Sequence, residues 1–153
     1  MIQDFLVWFI KLTPSTKRWF WKAWYNLFAS RSKKHSFRFM NYGYMEAGFE
    51  LNLLQTDEGE RYPIQLYHHT ATQIDIEGKR VLEVGCGRGG GASYIQRYLK
   101  TSSLTGIDIS ESAIQLCKTS HKIEGLDFVQ GDSENIPFLN DGFDVVLNVE
   151  SSH

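Results

Sequence analysis

The sequence predicts a doubly wound α/β fold, and three observations carry that expectation. From residue 79 onward short apolar runs alternate with helical stretches. A glycine-rich turn, "VLEVGCGRGGGASY" at residues 81–94, joins the first run to a helix. The last run, "FDVVLNV", is continuously apolar, as a parallel strand buried on both faces is. Strands alternating with helices build a parallel sheet with right-handed crossovers, and such sheets carry ligands at the carboxyl ends of their strands.

The pattern places strands at 80–84, 103–107, 126–130 and 143–148, with helices at 89–99 and about 110–120. The expected strand order is 3-2-1-4, with the fourth strand at an exposed edge. Upstream, "IQLYHHTATQI" at 64–74 reads as a helix after Pro63, whereas 37–61 shows no clean period and carries turn signals in "NYGY" and "TDEGERYP". Residues 4–12 and 17–29 read as two helices parted at Pro14, and 30–36 as a polar, basic linker. The organisation expected is a basic aromatic helical arm (1–36), a lead-in segment with one helix (37–78) and an α/β half-domain (79–153).

A chain of 153 residues, 42% apolar and 22% charged, is long enough for one domain with a real core. Its net charge of −2 conceals an asymmetry. Residues 1–40 hold eight Lys or Arg against one acid, Asp4, a balance of +7, which leaves −9 for the remainder. No base-reading motif accompanies the basic arm, so nucleic acid is not an expected partner. Cys86 and Cys117 form no disulfide framework and have no metal-ligand spacing, which fits reduced thiols. The apolar run at 5–10 is too short to span a bilayer, and Asp4 stands where a signal peptide would be basic. The expected location is cytoplasmic. The five histidines do not cluster with acids, so no metal is expected.

Gly85, Gly87 and Gly90 fit G-x-G-x-x-G, with Gly89 in the same turn. Two ligands suit it: a dinucleotide with a pyrophosphate, or S-adenosylmethionine with none. Glu83, two residues earlier, would repel a pyrophosphate and attract the ammonium and sulfonium of S-adenosylmethionine. Asp108, closing the second strand in "LTGIDIS", can accept both ribose hydroxyls, although NAD sites use an acid in the same place. Asp132 in "FVQGDSENIPF", beside Ser133, can accept an adenine amino group while Ile109 packs on the ring. The bland roles open to these acids are a cap for Asp108 or Asp132 and an ion pair with Lys79 or Arg80 for Glu83.

In these motifs the chain resembles the class I S-adenosylmethionine-dependent methyltransferases, with their Rossmann-like fold. "NYGY" (41–44), residues 64–95, "GLDFVQGDSENIPF" (125–138) and "FDVVLNVESSH" (143–153) resemble more closely the mycobacterial phthiotriol and phenolphthiotriol dimycocerosate methyltransferases. The resemblance implies methyl transfer to a hydroxyl of a lipid or another small hydrophobic acceptor, with S-adenosylmethionine as cofactor. Members of that group continue beyond a fourth strand, so the fold is expected to be truncated here and the chain inactive alone.

Methyl transfer needs the acceptor about 3–3.5 Å from the methyl, and a hydroxyl acceptor benefits from a base. The methyl is expected past the end of the fourth strand, within reach of Asn148, Glu150 and His153. His153 is the first candidate for the base, with Tyr67 and His68 next. Two other functions stay open at this point: an NAD-dependent oxidoreductase, and a non-catalytic module that docks on membrane through its aromatic arm.

Overall fold

Four parallel strands form the centre of the computed structural model: β1 (Arg80–Val84), β2 (Ser103–Asp108), β3 (Leu126–Gln130) and β4 (Val145–Asn148). Their order is β3-β2-β1-β4, as the alternating pattern predicts. The structure describes residues 38–151, which belong to one compact unit; the helices expected at 4–12 and 17–29, and His153, lie outside the described residues. Register aligns the carboxyl ends: Val84 of β1 lies beside Ile107 and Asn148, and Asp108 beside Gln130.

Among the described residues three α-helices accompany the sheet: α1 (Arg61–Ala71), α2 (Gly90–Tyr98) and α3 (Glu111–Ser120). α1 begins three residues earlier than expected and takes Pro63 into its first turn, where the missing N–H is no loss. It stops at Ala71, after which the Thr72 hydroxyl donates to the His68 carbonyl at 2.8 Å. α3 is capped by Ser110, whose hydroxyl accepts from the Ala113 N–H.

Side-chain alternation sorts the sheet into two unequal faces. Val81, Leu104, Phe128 and Leu147 point to one face and join Ile64 and Tyr67 of α1, Ala92, Tyr94 and Ile95 of α2, and Ile114 and Cys117 of α3 in the main core. Leu82, Val84 and Ile107 point to the other, packed only by Val129, Phe138 and Phe143. All three described helices therefore serve one face. The expectation that β4 is buried on both faces is corrected by this division. Leu147 is buried on the helix side, while Val146 on the far side is 62% exposed because no described helix covers it.

The lead-in packs into the main core, despite its lack of period. Phe39 is buried there, and Gln65 Nε2 donates to the Phe49 carbonyl at 2.8 Å. Asp57, only 1% exposed, accepts from Arg38, Arg97 and Tyr98 at 2.7–2.8 Å. Burial would push its pKa up, but the donors from Arg97, Tyr98 and Arg38 outweigh it and hold the carboxyl down at about 2. One carboxylate thus pins the lead-in to the end of α2.

Candidate functional site

The turn between β1 and α2 is built from hydrogen bonds to β2. The Gly85 and Cys86 N–H groups both donate to the Ile107 carbonyl at 2.9 Å, and the Gly87 N–H donates to Asp108 Oδ2 at 2.9 Å. The glycines have different reasons to be there. A Cβ on Gly89 (φ +75°) would stand 2.8 Å from the Phe128 ring, so this position is closed by packing. Gly87 (φ +52°) would meet only the Met40 sulfur, at 3.8 Å. Its side of the turn is the open one, and a ligand can lie close to its backbone there.

The acids expected from the sequence gather at the same end of the sheet. Asp108 Oδ1 accepts from the Ser110 N–H at 2.8 Å while Oδ2 holds Gly87. Burial raises its pKa, with the Ser110 and Gly87 N–H groups pulling the other way. It is not the cap of α3, a role that Ser110 fills. The Gly131 N–H donates to the Asp108 carbonyl at 3.0 Å and Gln130 Nε2 to the Ile109 carbonyl at 3.2 Å, which sets the loop carrying Asp132 beside the end of β2. Asp132 Oδ1 accepts from the Glu134 N–H at 2.9 Å, and Ser133 is exposed. Asn148, exposed at the end of β4, accepts from the Ser151 N–H at 3.3 Å.

Glu83 lies deeper. It is 0% exposed, its Oε1 accepts from the Tyr67 hydroxyl at 2.7 Å, and its Oε2 is buried without a partner. The ion pair with Lys79 or Arg80 weighed from the sequence does not form: Arg80 pairs with Asp144 at 2.8 Å. Burial pushes the Glu83 pKa up to about 7, against the Tyr67 hydroxyl and the Ala92 N–H, while Asp108 adds repulsion.

Residues 81–153 match the family model described as a methyltransferase domain. Among similar proteins, phthiotriol/phenolphthiotriol dimycocerosates methyltransferase from Mycobacterium tuberculosis is 50% identical over 142 residues, covering 92% of this chain and 53% of that protein. Fatty-acid O-methyltransferase from Mycolicibacterium smegmatis is 51% identical over 133 residues, covering 86% of this chain and 48% of that protein. The chain thus spans about half the length of the curated relatives it matches. A chain of the complex between the Haloferax volcanii Trm112 methyltransferase activator and a methyltransferase shares the fold, with a TM-score of 0.59 at 19% identity over 83% of this chain and 47% of that one. So does the [4+2]-cyclase SpnF, with a TM-score of 0.50 at 24% identity over 56% of this chain and 33% of that one. A fold of this kind hosts more than one reaction, so the chemistry rests on the residues of the site.

The three candidates for a base are placed unequally. His153 lies outside the described residues. The Tyr67 hydroxyl is committed to Glu83, and burial together with the Glu83 charge raises its pKa well above the ordinary tyrosine value. His68 Nδ1 shares a hydrogen bond with the Tyr94 hydroxyl at 2.7 Å, and burial, with His69 adding to it, lowers its pKa.

Four residues that shape the site had no site role in the sequence reading. Ser151 donates from its hydroxyl to the Val84 carbonyl at 2.8 Å and closes the space over Gly85. Cys117 donates to the Gly87 carbonyl at 3.3 Å, and His121 shares a hydrogen bond with the Arg88 carbonyl at 2.9 Å. Met40 flanks Gly87 from the lead-in. Only Ser151 had a sequence signal, as part of "NVESSH". Cys117 and His121 act on backbone atoms 30 or more residues away, and Met40 approaches the turn from 47 residues upstream, which no local pattern records.

Proposed function

We propose that this chain forms the S-adenosylmethionine-binding half of a methyltransferase that acts on a lipid or another small hydrophobic acceptor. The observation that carries the reading is Glu83, a fully buried carboxyl with one oxygen unpartnered, two residues before the glycine turn. Such a group suits a cationic ligand, which supplies the counter-charge that a pyrophosphate lacks, and this argues for S-adenosylmethionine over NAD.

When bound, S-adenosylmethionine supplies an electrophilic methyl group. The open side of Gly87 would take the ligand, Asp108 would receive the ribose hydroxyls, and Asp132 with Ile109 would face the adenine. Asp108 has both oxygens oriented by backbone N–H groups yet keeps spare lone pairs for hydroxyl donors. Asn148 and Glu150, at and beyond the end of β4, would border the acceptor. The names of the two mycobacterial relatives support a lipid acceptor: one describes dimycocerosates, the other a fatty acid. We assign the acceptor atom as oxygen on the name of the second relative, an O-methyltransferase, and His153 as the base when that oxygen is a hydroxyl.

Residues 1–36 fit a peripheral contact with an anionic membrane surface on the cytoplasmic side, where a lipid acceptor would be met. Their four tryptophans and clustered Lys and Arg match the headgroup region of such a surface. Thermal-shift and calorimetric titration with S-adenosylhomocysteine and with NADH tests the cofactor reading. Stabilisation by the first and not the second is expected, and the reverse overturns it.

A further inference from the structure

We propose that Glu83 is a proton-coupled cation subsite: a neutral carboxylic acid when nothing is bound, and a carboxylate once the ammonium of S-adenosylmethionine is in place. The inference rests on the S-adenosylmethionine reading above. On binding, the carboxyl O–H bond breaks, its electron pair stays on the oxygen, and the proton passes to solvent.

Two buried carboxyls in this protein have opposite surroundings. Asp57 is 1% exposed and receives two guanidinium groups and a phenol, so it stays ionised. Glu83 is 0% exposed and receives one phenol, with Oε2 left unpartnered. A bare carboxylate oxygen away from water is costly unless a positive group compensates it. None of the ion pairs among the described residues supplies one to Glu83.

The neighbours that bear on its charge come from every surrounding element. Tyr67 on α1 is kept neutral by burial, and the Cys86 thiol in the turn is pushed up by its contact with Cys117 and by burial. Asp108 at the end of β2 adds like charge. Glu150 beyond β4 acts on the same Tyr67 hydroxyl. The Tyr67 hydroxyl and the Ala92 N–H, in the first turn of α2, favour the anion. Burial outweighs both donors, so these surroundings favour the neutral acid, in keeping with a pKa raised to about 7. An ammonium brings the missing counter-charge and removes the reason for the proton to stay.

The test has two arms on the same chain. In the first, S-adenosylhomocysteine, which keeps the ammonium, is titrated calorimetrically at pH 6 in two buffers of different ionisation enthalpy. Release of roughly 0.9 proton per ligand is expected at pH 6, falling toward zero by pH 8.5. Glu83→Gln should abolish the release and weaken binding about tenfold at pH 8. Tyr67→Phe, which removes a donor to the anion, should retain the release and move its midpoint to higher pH. Binding without proton release at pH 6 overturns the inference but leaves the cofactor reading intact, whereas no binding at all overturns both.

The second arm needs no ligand. Glu83 has a folded pKa near 7, above its ordinary 4.5. The stability it confers as a neutral acid is full below about pH 4.5 and is lost as pH rises through 7. Denaturant unfolding from pH 5.5 to 8.5 should show wild type losing ground against Glu83→Gln across that range. A difference that is flat with pH overturns the inference.

Discussion

The Gly87 N–H donates to Asp108 Oδ2 at 2.9 Å, so the acid that ends β2 holds the turn that follows β1. The same carboxylate orients the proposed ribose contact and the open side of the glycine turn. Asp108→Ala should weaken S-adenosylhomocysteine binding by about 1.5–3 kcal/mol, ten- to a hundredfold in Kd. Isothermal calorimetry checks it, and unchanged affinity would reject the ribose role.

Gly91 is where α2 meets α1. A Cβ there would lie 1.9 Å from Tyr67 Cε1, inside a buried ring that cannot swing away. Gly91→Ala should cost about 1–3 kcal/mol through overpacking. It should also weaken ligand binding, because Tyr67 is the partner of Glu83. The midpoint of urea unfolding measures the first effect, and no change in it would mean that the two helices can part at little cost.

Asp57 links the lead-in to α2 through Arg38, Arg97 and Tyr98. Its folded pKa, about 2, lies below the ordinary value of 3.8, so its contribution is present above pH 4 and is lost as pH falls toward 2. Asp57→Asn should lower stability by about 2 kcal/mol at pH 7. The deficit should shrink between pH 4 and 2, as wild type loses the ionised form. Denaturant unfolding at pH 7, 4 and 2.5 follows it, and a deficit that stays constant would remove the charge from the explanation.

The basic arm makes a prediction in salt. Each Lys or Arg near an anionic surface adds about 1 kcal/mol, and seven of them (Lys11, Lys17, Arg18, Lys22, Arg31, Lys33, Lys34) set an upper bound of about 7 kcal/mol. Screening over about 10 Å at 0.1 M salt should release the chain from anionic vesicles as salt rises. Co-sedimentation with and without residues 1–36 tests this. Equal pelleting of the two forms at low salt would sink the membrane reading.

Local pattern sufficed for much of the fold. Period-two and period-3.6 patterning located β1, β2, β3, α2 and α3 to within a residue, because each is short, apolar on its buried side and bounded by glycine or a polar cap. The gathering of the acids proposed to face the ligand was readable for the same reason: Asp108 and Asp132 stand where a strand ends, and a parallel sheet brings strand ends together. What chain pattern could not supply was the set of partners. Glu83 read as a carboxylate free to face a cation or pair with Arg80, and only packing put it beneath Tyr67 with an oxygen unpartnered. Asp57 sat in a stretch without period, yet it organises the lead-in through residues 19 to 41 positions away. β4 looked buried on both faces because its side chains are apolar throughout, whereas burial depends on which face the helices choose. Local backbone preference and hydrophobic period act over a few residues and are written in the chain. Burial, charge compensation and the state of a proton depend on neighbours distant in sequence, and folding assembles them.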